Sequence, residues 1–159
     1  MSKVADERRR AIFDAVAAHG RLAEPLLSRA LADPDPSVRD AATSGAGSSG
    51  MKPLGNAILA ALTTEKHAVV RGSIIVALGK LRLTSAVTAV SEIAQSAGAN
   101  EREAMYALGR IGNADARTHL STIELGTNDE DRRKLARFLL SDDFLRQEKA
   151  LGEPWTRDL

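Results

Sequence analysis

One stretch of the sequence has the glycine spacing of a nucleotide-binding loop. Residues 45–50 are Gly-Ala-Gly-Ser-Ser-Gly, which matches the GxGxxG pattern of dinucleotide-binding proteins. That chemistry requires a strand before the glycines and, after them, a helix whose N-terminus receives the pyrophosphate. Here the glycines follow a predicted helix start, and Gly47 falls on a position that is repeatedly glycine along the chain. We therefore expect no nucleotide or other cofactor at this stretch.

Side chains that often bind metals or perform catalysis are few and scattered. The three histidines, His19, His67 and His119, lack the i, i+4 spacing that places two ligands on one helix face. The absence of cysteine excludes a disulfide, a thiolate zinc site and a cysteine nucleophile. The adjacent carboxylates Asp142 and Asp143 are more typical of a solvated helix start than of a catalytic pair. We expect no metal site, and we expect that the protein is not an enzyme.

Basic residues cluster twice, within residues 8–10 and 132–137. Both clusters lie beside acidic residues, and over the 159 residues Lys plus Arg at 22 nearly balances Asp plus Glu at 21. Nucleic-acid binding needs several convergent cations and, for single strands, aromatic stacking platforms. Aromatic residues make up only 3% of the chain, so a solvated mixed-charge face is favoured over a nucleic-acid interface.

The composition is that of a helical protein built from small aliphatic side chains. Alanine accounts for 27 residues and leucine for 19, and both favour helices. No apolar run approaches the ~20 residues of a membrane-spanning helix. The charged first ten residues are not followed by an apolar signal core. We expect one soluble, cytoplasmic domain that does not bind membranes.

The elements that must position these residues repeat with a period near 31. Equivalent residues lie at Val16, Ala46, Leu78, Leu108 and Leu139, so the steps are 30, 32, 30 and 31. Each of the first four segments is followed by a turn and a second stretch with apolar residues three or four apart, as on a helix face. The sequence therefore predicts a helix-turn-helix unit repeated about five times, with limits near residues 4–33, 34–64, 65–96, 97–126 and 127–151.

Helix-end signals agree with this division. Asp35 before Pro36 is a predicted N-cap, and Asn113 and Thr84 are similarly placed. Glycines lie where the first helix of a unit should end, at Gly20, Gly50 and Gly112.

Small residues and arginines recur at fixed places in the units. Gly47, Gly79 and Gly109 follow the repeated position and predict close helix contact there, aided by Ala41, Ala77 and Ala107. Arg39 and Arg71 lie within reach of acids in the preceding connections, and we expect polar contacts between units there rather than an anion site. Residues 43–52 offer no large side chain in the helix and two glycines at ~1 kcal/mol each, so we expect them to be the least stable part of the stack.

The repeated pattern resembles a known family. Residues 33–39, Asp-Pro-Asp-Pro-Ser-Val-Arg, and the run from Val69-Val70-Arg71 to Ala77-Leu78-Gly79 resemble HEAT repeats of the short type also found in phycobilisome-lyase-like proteins. The resemblance covers roughly residues 5–140. It implies an all-α fold, a right-handed α-α superhelix of the HEAT type, whose second helices line the inner, concave face. The first and fifth units have Ala17 and Leu140 in place of the glycine, as atypical capping units would.

The second helices supply the candidate binding surface. When they are aligned, small side chains form a row, and we interpret this row either as helix packing or as a shallow groove for a partner helix or extended segment. It lacks the convergent polar groups of a small-molecule site. The candidate protein-binding residues are Ser28, Ala60, Ser91 and Ser121 at one position and Arg29, Glu92 and Thr122 at the next.

The segment from Asp142 onward departs from the period. Phe144, Leu145 and Leu151 are predicted to form a short capping helix over the fifth unit. Residues 152–159 form a tail that holds the only tryptophan, Trp155. The tail either folds back on the stack or uses Trp155 as an anchor for another chain, since tryptophan is enriched at interface hot spots.

The favoured function is a non-catalytic scaffold or adaptor that binds a protein of unknown identity. Resemblance alone implies two alternatives: a lyase-like or chaperone subunit acting on a chromophore-bearing protein, and a DNA-binding HEAT-like protein. The charged first and fifth units favour a capped monomer over end-to-end association.

Overall fold

The computed structural model describes residues 3–96 and 98–150, and within them the chain forms α-helices joined by short turns. The helices follow one another in pairs, and no β-strand occurs in the described ranges. The all-α solenoid prediction is confirmed. The first helices of the pairs are α1 (Lys3–His19), α3 (Pro36–Ser48), α5 (Ala68–Lys80), α7 (Glu101–Ile111) and α9 (Glu130–Leu140). The second helices are α2 (Glu24–Ala30), α4 (Gly55–Thr64), α6 (Val87–Gln95) and α8 (Ala114–Gly126), and α9 is followed by α10 (Asp142–Ala150).

Side-chain caps fix two of the predicted helix starts. The Asp35 carboxylate accepts a hydrogen bond from the Ser37 amide at 2.9 Å, and the Asn113 side chain accepts one from the Ala116 amide at 3.0 Å. The prediction for Thr84 is wrong. Thr84 opens a 3-10 turn, Thr84–Ala86, without a side-chain cap, and α6 begins only after this turn.

The turns after four first helices share a left-handed residue. Gly20, Gly50 and Gly112 have φ values of 51°, 63° and 65°, as expected for glycines that end helices. Arg82 takes the equivalent place after α5 with φ 50°. A β-carbon disfavours this conformation, so Arg82 is held there at a conformational cost that glycine avoids.

The first helices form one layer of the stack and approach each other at the recurring glycines. A β-carbon on Gly47 would lie 3.0 Å from the Ala77 Cα, and one on Gly79 would lie 2.7 Å from the Ala107 Cα. The contact at Gly79 is closer than real β-carbons make with a backbone, and the contact at Gly47 would require the neighbouring helix to shift by a few tenths of an ångström. The predicted close packing is therefore confirmed, and it depends on glycine facing alanine.

The helix that contains the glycine-rich stretch is continuous. Gly45 and Gly47 are both buried inside α3, where Gly45 faces Val16 and Leu27 while Gly47 faces α5. The structure thus gives both glycines a packing role. The low relative stability of residues 43–52 stays a prediction.

The C-terminal end of the stack is packed differently. Gly109 faces the side chains of Leu139 and Phe144, and Phe144 is 3% exposed. The Phe144 ring lies 5.6 Å from that of Phe138 and 6.4 Å from that of Tyr106, measured between ring centroids. Helix α10 thus covers the fifth unit as predicted, with Leu145 38% exposed, while Leu151 lies outside the described residues.

None of the described helices combines the length and the apolar character needed to cross a bilayer.

Candidate protein-binding grooves

Arginines near the starts of first helices bind the connections between units. Arg39 donates two hydrogen bonds to the Glu65 carboxylate, at 2.7 and 2.9 Å, and a third to the Asp33 carbonyl at 2.7 Å. Arg8 makes the same two-pronged contact with the Asp33 carboxylate, at 2.8 Å for both bonds. Arg71 instead donates to the Leu62 carbonyl at 2.8 Å, at the C-terminal end of α4. The expected polar contacts between units are therefore present, although their partners include backbone carbonyls as well as carboxylates.

These contacts change the acidity of the two carboxylates. The hydrogen bonds from Arg39, helped by the His67 amide, lower the pKa of Glu65 to about 2. The hydrogen bonds from Arg8 lower the pKa of Asp33 in the same way. Both groups stay ionised and paired, so they hold the connections in place rather than act as acids or bases.

A groove of about 700 Å³ lies between α2 and α4, and we call it the second-helix groove. Its walls carry two of the predicted residues, Ser28 on α2 and Ala60 on α4, both exposed. The paired Arg39 and Glu65 are also part of its lining. The rest of the lining consists of Leu31, Ala32, Asp33, Ala57, Ala61, Thr64 and Lys66.

The other predicted residues do not join Ser28 and Ala60 in this groove. Arg29, Glu92 and Thr122 are exposed on three different second helices, and Ser121 is partly exposed on α8. The prediction for Ser91 is corrected. Its side chain is only 3% exposed and its hydroxyl donates to the Thr88 carbonyl at 2.8 Å, so it packs inside the helix layer instead of facing a partner. Trp155 lies outside the described residues.

A second groove, of about 480 Å³, lies on the opposite layer and was missed by the sequence reasoning. We call it the first-helix groove, because α3, α5 and α7 line it. Val69, in the first turn of α5, is 63% exposed there. The sequence signal for this groove is weak, because it consists only of Val69 followed by the small residues Gly72 and Ser73. The lining residues are Ser44, Gly47, Ala68, Val69, Gly72, Ser73, Val76, Ala77, Lys80, Asn100 and Glu103.

The features that suggested other chemistry have structural explanations. Gly45 and Gly47 lie near the C-terminal end of a helix, the opposite end from the one that binds phosphate. The His119 ring contacts the Gln95 amide at 3.2 Å. No group of three potential metal ligands occurs among residues 3–96 and 98–150.

The two basic clusters are largely paired with acids. Arg8 binds Asp33, and Arg132 binds Glu101 at 2.7 Å. Arg133 binds Glu130 at 2.7 Å. These ion pairs reduce the positive charge that either cluster presents to a phosphate backbone.

Comparison with known families agrees with the stack of helical pairs. A family model for HEAT repeats matches residues 23–104, which is more than half of the chain and runs from the second helix of the first unit into the fourth unit. The protein therefore belongs to the HEAT-repeat family. The phycobilisome-lyase-like subtype is not shown by this match. A comparison with curated proteins finds no match.

Proposed function

We propose that the protein is a non-catalytic, cytoplasmic scaffold that binds a segment of another protein in the second-helix groove. HEAT repeats generally mediate contacts between proteins, and this supports the class of function. The single observation that carries the choice of surface is the juxtaposition of Ser28 and Ala60 across a groove of about 700 Å³.

The lining of the groove suits a polypeptide better than a small molecule. Four alanines and Leu31 supply a smooth apolar surface in which the side chains of a partner can pack. The charged groups of the lining are mostly engaged, since Arg39 binds Glu65 and Asp33 binds Arg8. A small polar ligand would find few free groups to fix its orientation.

Two exposed cations at the margin of the second-helix groove indicate the charge of the partner. Lys66 and Arg29 are exposed, and within the described ranges neither forms an ion pair with an acid. We propose a partner segment, helical or extended, with apolar side chains along one side and a carboxylate near Lys66. The protein acts as a monomer in this proposal.

The experiment compares three immobilised baits in lysate of the source organism. They are the wild type, Ala60→Arg, which places a long side chain across the groove, and Ala18→Arg, a matched change at an exposed position of α1. Circular dichroism and thermal melting first establish that both variants fold. We expect one protein, in stoichiometric amount, on the wild type and on Ala18→Arg but lost from Ala60→Arg. That protein is then purified, and calorimetry measures its affinity for each bait.

Equal retention by Ala60→Arg would contradict the choice of groove. A bait that retains DNA, with retention falling steeply between low and physiological salt, would favour the DNA-binding alternative. Co-purification of a pigment would favour the lyase-like alternative. Either result would replace the scaffold proposal.

A further inference from the structure

The contact between α7 and α10 shows how a first helix of this stack holds another helix. The Phe144 ring of α10 packs against Tyr106, with 6.4 Å between the ring centroids. The Glu148 carboxylate accepts hydrogen bonds from the Arg110 Nε at 3.2 Å. Phe144 and Glu148 are four residues apart, as are Tyr106 and Arg110, so each pair lies on one face of its helix. An apolar residue and a carboxylate on α10 thus meet an apolar residue and a cation on α7.

The equivalent pair on α5 is open. Because the repeat step from α5 to α7 is 30 residues, Val76 and Lys80 occupy the places of Tyr106 and Arg110. Val76 and Lys80 both line the first-helix groove, and the described part of the chain only half-buries them. Helix α5 therefore presents the same apolar residue and cation that α7 uses to hold α10.

The other first helices do not repeat this pair. None of α1, α3 and α9 has an apolar residue followed by a cation at the corresponding places. The residues there are Asp14 and Ala18 on α1, Ser44 and Ser48 on α3, and Arg137 and Ser141 on α9. Within the described stack, α5 is thus the open first helix that can hold a partner in the way that α7 holds α10.

Lys80 has no carboxylate partner in the described part of the chain. Its ammonium donates to the Ser48 hydroxyl at 3.3 Å and forms no ion pair with an acid of the described ranges. Burial and, to a smaller extent, the nearby Arg110 lower the pKa of Lys80, against a still smaller raising effect of Glu148. A carboxylate bound at Lys80 would supply the stabilisation of the charged form that burial removes.

The shape and charge of the groove restrict the partner further. Val69, 63% exposed, and Lys80 are eleven residues apart on α5, which is about 16 Å and leaves room for three turns of a helix. Among the described residues of the lining, two are charged, Lys80 and Glu103. Glu103 disfavours a partner that is acidic throughout, so the charges favour an apolar helix face with a carboxylate placed at the Lys80 end.

We propose that the first-helix groove binds an amphipathic helix of another protein, with a large apolar residue against Val76 and, four residues later, a carboxylate at Lys80. The partner helix runs in the same direction as α5, as α10 does along α7. The second-helix groove lies on the other layer, so the two surfaces bind independently of each other.

The test uses the sequence of α10 as a probe. A fluorescein-labelled synthetic peptide of residues 141–150 is stapled between the exposed positions 143 and 147 to keep it helical, and anisotropy measures its binding to the full chain. We expect saturable binding by the wild type and binding weaker by about tenfold in Lys80→Glu, with a smaller loss in the milder Lys80→Gln. Lys66→Glu, an equal change of charge on the other layer, is the matched control and should bind as the wild type does. Circular dichroism establishes that each variant is folded.

An exchange of charges identifies the contact. Glu148→Lys in the peptide should weaken binding to the wild type and restore binding to Lys80→Glu, because the ion pair is then reversed. Phe144→Ala in the peptide should weaken binding to every variant. Rescue of the Glu148→Lys peptide by Arg110→Glu instead would mean that the peptide displaces α10 from α7, and this would exclude the groove as its site.

The remaining outcomes are also decisive. Absence of saturable binding by the wild type would overturn the proposal, and so would equal binding by the wild type and Lys80→Glu. Self-association of the wild type that Lys80→Glu abolishes would assign the groove to a second copy of this chain and contradict a foreign helix. None of these measurements involves the partner of the second-helix groove, so the two proposals fail separately.

Discussion

In the interior of the stack, neighbouring first helices pack through small residues, whereas at its C-terminal end they pack through large side chains. Between α3, α5 and α7, glycine faces alanine and the backbones nearly touch. Between α7 and the last pair of helices, the equivalent glycine faces Leu139 and Phe144. The sequence has no aromatic residue between Phe13 and Tyr106, whereas Tyr106, Phe138 and Phe144 pack together at the end.

The difference follows from what each interface must do. An interior helix has neighbours on both sides, so small residues let units stack at close spacing and bury one another. The repeated pattern does not continue into residues 142–150, which form α10 instead. Large side chains from α10 supply the burial that a next unit would have given. The following predictions test this contrast, from the largest expected effect to the smallest.

Phe144→Ala should destabilise the C-terminal end most. Its ring is 3% exposed and lies between two other aromatic rings, so its removal should cost about 3 kcal/mol in the free energy of unfolding. Urea unfolding measures the cost, and amide exchange should rise in α9 and α10 before it rises in α5. Phe13→Ala, at a ring that is 48% exposed, is the control and should change stability by less than about 1 kcal/mol. Equal losses at both positions would contradict the special role of the end cluster.

Gly79→Ala should be the most damaging small change in the interior. The new methyl group would lie 2.7 Å from the Ala107 Cα, which cannot move without its helix. Overpacking costs about 1–3 kcal/mol and the gain in helix propensity returns about 1 kcal/mol, so we expect a net loss of about 1–2 kcal/mol by thermal or urea unfolding. Gly126→Ala, where nothing lies within 4 Å, should leave stability unchanged or slightly raised. A neutral Gly79→Ala would show that the two helices can separate freely.

Substitutions at Glu65 and Glu148 compare an ion pair in the interior of the stack with one at its C-terminal end. Glu65 is 6% exposed and accepts two short hydrogen bonds, whereas Glu148 is 19% exposed and binds Arg110 at 3.2 Å. We expect a loss of about 1–2 kcal/mol for Glu65→Gln at neutral pH and less for Glu148→Gln.

The same pair predicts a pH dependence. Because the folded protein lowers the pKa of Glu65 from 4.5 to about 2, its stabilising effect is complete above pH 4.5 and is lost as pH falls toward 2. As pH decreases, the unfolding midpoint should therefore fall less steeply in Glu65→Gln than in the wild type. Parallel titrations would exclude Glu65 as the titrating group.

Amide exchange should distinguish α3 from α5, which are the first helices of two neighbouring units. Residues 43–52 combine buried glycines with small side chains, whereas α5 buries Ile74, Ile75 and Leu78. Protection factors in residues 43–52 should be lower than in residues 70–80, by about fivefold if the difference in opening free energy is about 1 kcal/mol. Exchange that is no faster there would refute the weak-segment prediction.

Arg82→Gly should give the smallest effect and the opposite sign. Glycine removes the cost of a β-carbon at φ 50°, and three of the other four units already have glycine at this place. We expect a gain of about 0.5–1 kcal/mol, seen as a higher melting temperature. A loss would mean that the contacts of the Arg82 side chain outweigh its backbone strain.

Much of the fold could be predicted from local sequence patterns, whereas the candidate binding site could be predicted only in part. The 31-residue period, the Asp35 and Asn113 caps and the three helix-ending glycines depend on nearby residues, and the structure confirms them. The prediction of an N-cap at Thr84 was wrong because a 3-10 turn precedes α6. The prediction of a binding residue at Ser91 was wrong because a row of small residues does not reveal which way each side chain faces. The first-helix groove was missed because its lining comes from three helices in three different units.

The sequence by itself determined that the chain stacks helical pairs, because apolar spacing and helix ends are properties of consecutive residues. Only the tertiary structure decided which small residues remain exposed. Ser28 and Ala60 face a groove while Ser91 is buried, although all three occupy the same place in the aligned units. The reason is that exposure depends on the distance and rotation of neighbouring helices, and these are set by side chains far away in the sequence.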